Sequence, residues 1–321
     1  MKKLMIVGGT GFFGKSFIDC FIRKKLDRWS ISKLIIISRN SNKFKKNYKK
    51  LTGKNVKFIT KDIKITKSLP HADFIIHAAA SSNEKNYRKN IKKEINNNKK
   101  SLINFCSLIS DKKFNKSNIV YLSSGAVYGD FNKKKHTKED MKISKTRLLK
   151  LNSPKKEYAI SKIISEEMFI KTCIKNKLNS SVARCFAFIG TYLPRDQHFV
   201  IGNFMNSVLN NSSLVIKSNS AKNIFRSFMH ADDAIYLLMQ MLKKSNQDCT
   251  IYNVGSDEKK NIMNIANYLS KKYKLDIIKP KQTNLIKNFY IPDLRKTKKN
   301  FSFPKIKKIS QSIIDIKKII H

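Results

Sequence analysis

Gly8-Gly9-Thr10-Gly11-Phe12-Phe13-Gly14 follows the apolar run Leu4-Met5-Ile6-Val7 and precedes an amphipathic segment over residues 15–22. That order is strand, glycine turn, helix. The glycines satisfy G-x-G-x-x-G at Gly9, Gly11 and Gly14, and G-x-x-G-x-x-G counted from Gly8. The backbone has to bend sharply here and let a pyrophosphate approach with no Cβ in the way. The helix after the turn aims free N–H groups and the positive end of its dipole at that phosphate. The spacing predicts a dinucleotide site, with Gly8, Gly11, Phe12, Phe13 and Gly14 around the cofactor.

Working outward, Lys33-Leu34-Ile35-Ile36-Ile37-Ser38 reads as a second buried parallel strand. In NAD sites a carboxylate at the end of this strand holds the ribose 2′-OH, about 20 residues past the glycines. This chain has Ser38-Arg39-Asn40 there. A guanidinium in place of a carboxylate suits a 2′-phosphate, so the expected cofactor is NADP bound through Arg39, with NAD as the alternative. Further strands are expected at 56–60, 73–80, 118–122 and 181–186, with one long helix over 84–109 and a long polar loop over 130–156. The fourth strand ends in small residues, at the sheet edge where open α/β folds bind ligands. The alternation predicts an α/β fold: a Rossmann-like doubly wound parallel sheet of six or seven strands, with a smaller C-terminal substrate lobe. The expected division is 1–189 plus 224–254 for the cofactor domain and 190–223 plus 255–321 for the substrate lobe.

The 321 residues suffice for a large core, and the hydrophobic fraction of 41% is ordinary for a globular chain. No apolar run approaches the ~18 residues of a membrane helix. Met1-Lys2-Lys3 has the charge of a signal peptide, but Gly8 and Gly9 interrupt the apolar region. A soluble cytoplasmic protein with no membrane partner is expected. Cys20, Cys106, Cys173, Cys185 and Cys249 are scattered and form no C-x-x-C, which reads as reduced thiols. No metal site is expected. The net charge of +45 comes from lysine spread along the whole chain among asparagines and isoleucines. No aromatic–arginine platform accompanies it, so a nucleic-acid partner is not expected. The charge still favours a phosphorylated substrate.

Tyr158 and Lys162 are four apart, so they share a face of the helix that Tyr158-Ala159-Ile160-Ser161-Lys162 opens. A tyrosine titrates near pH 10 and becomes an acid–base catalyst only when its phenolate is stabilised. A neighbouring ammonium does that. Ser124 follows a predicted strand, where its hydroxyl can hold a substrate oxygen. Tyr268 and Lys272 form a second Y-x-x-x-K, but no strand–serine turn precedes them. The order glycine turn, serine strand end, tyrosine helix selects Tyr158.

With these residues in place the sequence resembles the extended short-chain dehydrogenase/reductases, specifically the NAD(P)-dependent nucleotide-sugar epimerase/dehydratase family. The resemblance covers nearly the whole chain. It rests on GGTGFFG at 8–14, Asp62-Ile63, HAAA at 77–80, SSGAVYG at 123–129, YAISK at 158–162, RSFMHADD at 226–233, Tyr252-Asn253-Val254-Gly255-Ser256 and Ile291-Pro292-Asp293. It implies that Asp62 and Ile63 contact adenine and that Ala78, Ala79 and Ala80 line the cofactor. It implies a Ser124–Tyr158–Lys162 triad in which Tyr158 and Lys162 also bind the cofactor, Lys162 at its ribose, with Arg226 on the pyrophosphate of a nucleotide-sugar substrate and Asn203 near a substrate phosphate. It gives His230 and Asp232 structural roles and suggests a homodimer through the helix of Tyr158 and its predecessor.

The departures matter as well. Family 4,6-dehydratases carry an Asp-Glu pair after the serines, and uronate decarboxylases place a carboxylate there. This chain has Gly125 and Ala126. Without that carboxylate, general-acid chemistry at C5–C6 lacks its actor. Arg184-Cys185-Phe186-Ala187 also lacks the asparagine common three residues after that arginine. Two reactions remain: a 4-keto sugar reductase, favoured slightly by Arg39, and a nucleotide-sugar 4-epimerase. A non-catalytic NADP-binding or RNA-associated protein is the third alternative, and the intact Ser–Tyr–Lys set speaks against it.

Overall fold

In the computed structural model, β1 (Lys2–Val7) and β2 (Ile31–Ser38) run parallel, with Leu4 opposite Leu34 and Val7 opposite Ile37. The described residues are 1–80, 84–129, 136–197, 199–216, 221–279, 288–303 and 307–320, excepting the side chains of 221 and 315–320. Between the first two strands lies α1 (Phe12–Ile22), and after β2 comes α2 (Ser41–Asn47). The chain continues with β3 (Val56–Thr60), β4 (Phe74–His77), α3 (Glu84–Lys89), α4 (Ile91–Ile109) and β5 (Asn118–Ser124). Then follow α5 (Lys145–Leu149), α6 (Lys155–Lys175) and β6 (Ser180–Cys185).

Strand Thr250–Val254 completes a seven-stranded sheet in the order Thr250–Val254, β6, β5, β4, β1, β2, β3. Every pairing in it is parallel. The doubly wound sheet expected from the sequence is therefore present. Alternation along the strands explains the layers. Leu4 and Ile6 face one core with Phe17 and Ile18 of α1 and Leu237 of helix Ala231–Lys243. Met5 and Val7 face the other with Phe105 of α4 and Phe169 of α6.

The predicted single helix over 84–109 is two. Asn90 is extended at φ −160°, and its side chain accepts the N–H of Lys93 at 2.9 Å. An asparagine that caps a new helix ends the old one, because its side chain replaces a backbone acceptor. In the predicted loop, residues 130–135 lie outside the described residues. Thr137 bridges Pro292, and the loop also contains α5.

A third core joins helix Val200–Leu209 to helix Ile262–Tyr273 through Phe204, Met205, Ala266 and Leu269. Strand Ile224–Arg226, at the start of segment 224–254, pairs antiparallel with Lys260–Asn261 and parallel with Asn288–Tyr290. Helix Ala231–Lys243 and strand Thr250–Val254 belong to the main layers.

Candidate active site

The glycine turn closes against the end of β4. Gly8 has φ +84°, and a Cβ there would lie 2.5 Å from Ala79 Cα. A Cβ on Gly14 would lie 2.1 Å from the Gly9 carbonyl oxygen. Neither position tolerates a side chain. Gly11 caps α1 with no side-chain hydrogen bond to the first helical N–H groups, which stay available to an anion. Half-buried Ala78, Ala79 and Ala80 put only small side chains at the sheet edge beside the turn. A glycine cradle at a helix N-terminus, walled by alanines, fits a dinucleotide pyrophosphate.

The other predicted cofactor residues ring this cradle less closely. Phe12 and Phe13 pack edge-on, at 5.2 Å between ring centroids, and Phe13 also meets Phe188. Both belong to the first turn of α1 and pack against the core on that side of the sheet. Thr10 and Ser38 share a hydrogen bond of 2.8 Å, which ties the glycine turn to the end of β2. Arg39, the next residue, is exposed. Past β3, Asp62 accepts the N–H of Lys64 at 3.0 Å, and Asn104 of α4 holds the carbonyl of Ile63 at 2.8 Å.

At the end of β5, Ser124 turns the chain into a short 3₁₀ segment and accepts the N–H of Ala126 at 3.2 Å. Its hydroxyl lies close enough to the Tyr158 phenol to draw that phenol's pKa down. Burial raises the Tyr158 phenol above the ordinary tyrosine value, while the Ser124 contact pulls it back. Tyr87 of α3 meets Tyr158 edge-on at 5.9 Å. Lys162, one turn along α6, is buried and donates to the Leu122 carbonyl at 2.9 Å. Burial draws its ammonium down to about 8, with Cys185 and Glu166 opposing.

The Lys162 shift has a measurable sign. The folded chain holds this proton less tightly than the unfolded chain, whose lysine titrates at 10.5. Unfolded chains therefore bind more protons between pH 8 and 10.5, and the lysine's contribution improves as pH rises through that window. The full effect is on the order of 3 kcal/mol. Denaturant unfolding should show the stability of the wild type gaining on Lys162→Met from pH 8 to 10. A difference that stays flat across the window contradicts the burial of a charged Lys162.

Tyr290 reaches the same serine, a contact that sequence reasoning missed. Burial pushes its phenol up to about 12, while the nearby Ser124 hydroxyl and Arg226 pull it down. Arg226 is Tyr290's neighbour in strand register and lies over its ring at 5.8 Å. Its Nη1 donates to the Phe225 carbonyl at 2.8 Å. Ser124, Tyr158 and Lys162 thus gather near the end of β5, and Tyr290 stands between that group and Arg226. Asn203 stands on helix Val200–Leu209, and no hydrogen bond among the described residues joins it to Ser124 or Tyr158.

The second Y-x-x-x-K behaves differently. Lys272 donates to the Tyr268 hydroxyl at 3.2 Å on an exposed helix face. Gly125 explains the missing carboxylate after the serines. A Cβ there would lie 2.8 Å from the ring of Phe186, which fills the space. Among the described residues no group of three or more His, Cys, Asp or Glu could hold a metal ion. No helix there is long and apolar enough to cross a membrane.

Residues 4–255 match the profile of the NAD dependent epimerase/dehydratase family. The chain belongs to that family. A putative UDP-glucose 4-epimerase of Methanocaldococcus jannaschii is 24% identical over 264 residues, which cover 81% of this chain and 78% of that protein. Among solved structures, a UDP-N-acetylglucosamine 4-epimerase from Methanobrevibacter ruminantium superposes with a TM-score of 0.81 at 19% identity, covering 99% of this chain and 98% of that one. A dTDP-glucose 4,6-dehydratase from Streptomyces venezuelae, solved with NAD, gives 0.79 at 17% identity, with 98% and 96% covered. At these identities the superpositions speak for the epimerase/dehydratase fold.

Proposed function

We propose that this epimerase/dehydratase-family chain acts on a nucleotide sugar by removing and returning hydrogen at one sugar carbon, with 4-epimerisation as the reaction. One arrangement carries the reading: the Ser124 hydroxyl beside the Tyr158 phenol, with the buried Lys162 one turn along the helix, at the sheet edge that holds the glycine cradle. Ser124 orients the reacting sugar oxygen. Tyr158 takes the proton from that oxygen and gives it back. A charged Lys162 favours the phenolate that Tyr158 must become. The nicotinamide cofactor, when bound, supplies hydride exchange at the same carbon. Gly8, Gly11, Gly14 and the α1 N-terminus would hold its pyrophosphate, with Ala78, Ala79 and Ala80 beside it and Asp62 and Ile63 near the adenine. Arg226 grips the substrate's pyrophosphate, and Asn203 lies toward its phosphate end.

Relatives named as 4-epimerases support this reading over dehydration, as does Phe186 filling the place of a carboxylate at 125. The 4-keto sugar reductase remains as a second reading because Arg39 favours NADP. Incubation with nucleotide sugars separates the two. An epimerase inverts C4 with no net change in nicotinamide absorbance, while a reductase consumes NADPH with a 4-keto sugar. Inactivity on every nucleotide sugar contradicts both.

Arg39 sets a prediction of its own. It should contact the 2′-phosphate, so the wild type binds NADPH more tightly than NADH. Losing a charge-assisted contact costs about 1.5–3 kcal/mol. Arg39→Asp should therefore weaken NADPH binding on the order of 10- to 100-fold and favour NADH. A wild type that prefers NADH, or a substitution without effect, assigns the cofactor to NAD.

The assembly proposed is a homodimer. Ile103 of α4 and Ile160 and Ile164 of α6 are exposed on adjacent helices, an apolar surface that a second copy would cover. Sedimentation should give twice the chain mass; a monomer contradicts it.

A further inference from the structure

Three buried polar atoms on the sheet face that Lys162 packs against take no part in the chemistry above. His77 closes β4 at 2% exposure, and neither Nδ1 nor Nε2 has a hydrogen-bond partner among the described residues. Ser123 is 4% exposed, and its Oγ is unpartnered too. Both side chains lie on the sheet face that Lys162 covers. His77 stands opposite Tyr121 in strand register, with ring centroids 5.5 Å apart. Lys162 Nζ lies 5.2 Å from the centroid of the same Tyr121 ring. Ser123 is two residues past Tyr121, so its side chain leaves the strand on that face. Its neighbour Leu122 supplies the carbonyl that accepts one N–H of Lys162.

An ammonium carries three donors, a neutral imidazole one donor and one acceptor, and a hydroxyl both. Buried polar groups without protein partners are ordinarily satisfied by ordered water, which makes about three hydrogen bonds. We propose that His77 and Ser123 are positioning residues for Lys162, holding one ordered water molecule against its ammonium. The water accepts from Lys162 and donates to the imidazole and the hydroxyl. It solvates the ammonium where bulk water is excluded, keeping it charged and aimed. Burial and the charge of Lys162 draw His77 down to about 3, so its imidazole is neutral and able to accept at working pH. Phe105 of α4, Tyr121 of β5 and Lys162 of α6 surround His77. Cys185 of β6 and Glu166 of α6 act on Lys162.

The water site stands independently of the proposed reaction, and only its effect on turnover rests on that reading. A crystal structure of the whole chain should show a water within about 3.2 Å of Lys162 Nζ and of His77 or Ser123. No water there, or a protein atom in its place, overturns the proposal. In solution, His77→Phe keeps a ring against Phe105 and Tyr121 and removes both nitrogens. It should lower kcat about tenfold and move the pH limb of Lys162 down by about one unit, since one unit is tenfold in charged fraction. His77→Asn, which keeps a donor and an acceptor, should recover most of the loss. Ser123→Ala should shift the limb the same way by less, and it serves if His77→Phe does not fold. Wild-type pH profiles in the His77→Phe and Ser123→Ala variants sink the positioning role, whatever their stability. Should no nucleotide sugar be turned over, the proposed reaction fails while the crystallographic water still decides this site.

Discussion

Tyr158→Phe should cut turnover by the ~10²–10⁴-fold typical of a lost general acid–base, while cofactor affinity stays near that of the wild type. The substitution keeps the ring that packs against Tyr87 and removes only the hydroxyl whose pKa Ser124 lowers. Burial already holds that phenol's proton more tightly than in a free tyrosine. The proton can move at neutral pH only with help from positive charge, and Lys162 is the buried cation one turn away. Tyr268→Phe is the internal control. It deletes the same hydroxyl from the other Y-x-x-x-K, which lies on an exposed helix. Turnover should not change. Full activity in Tyr158→Phe removes the assignment, and inactivity in Tyr268→Phe moves it to the other helix.

The largest stability effect is expected at Arg184. Its Nη2 lies 2.7 Å from Glu166 Oε2, and its Nε lies 3.1 Å from both carboxylate oxygens. The two side chains are 5% and 3% exposed. Nη1 also donates to the Glu139 carbonyl, and the guanidinium lies over the Tyr128 ring at 4.7 Å. Removing one partner leaves an uncompensated buried charge, which costs about 3–5 kcal/mol. Arg184→Met should lower stability by that amount in denaturant unfolding. Pairing it with Glu166→Leu removes both charges and should recover much of the loss, because the desolvation penalty goes with them. A double variant as unstable as Arg184→Met alone would show that the Tyr128 and Glu139 contacts matter more than the ion pair.

Much of the sheet could be read locally. Continuous apolar strands such as 33–38, a glycine turn and an amphipathic helix are each short-range signals, and the parallel order follows from their alternation. Ser124, Tyr158 and Lys162 could be singled out as candidates because each sits at a fixed place relative to a strand end or helix turn. Tyr290 was not. It reaches Ser124 through pairing between Asn288–Tyr290 and Ile224–Arg226, and nothing in its own neighbourhood encodes that pairing. The break at Asn90 was hidden in a run already rich in asparagine and lysine, where one cap looks like any other polar residue. Glu166 left a signal that could have been used. It falls one turn past Lys162 on the face of Tyr158, and a carboxylate on a buried helix face calls for a cation. The constraint at Gly125 depends on Phe186 of a different segment, so the sequence showed a missing carboxylate without its steric cause.

Oxidation and re-reduction at C4 would carry a label at that carbon through the reaction. A nucleotide sugar deuterated at C4 is incubated in ordinary water with the cofactor-loaded protein, and its product is read by NMR. C4 should invert with the deuterium retained, because hydride leaves and returns without meeting solvent, and the Tyr158→Phe protein should leave C4 unchanged. Loss of the deuterium to water, or inversion that persists in Tyr158→Phe, would contradict it.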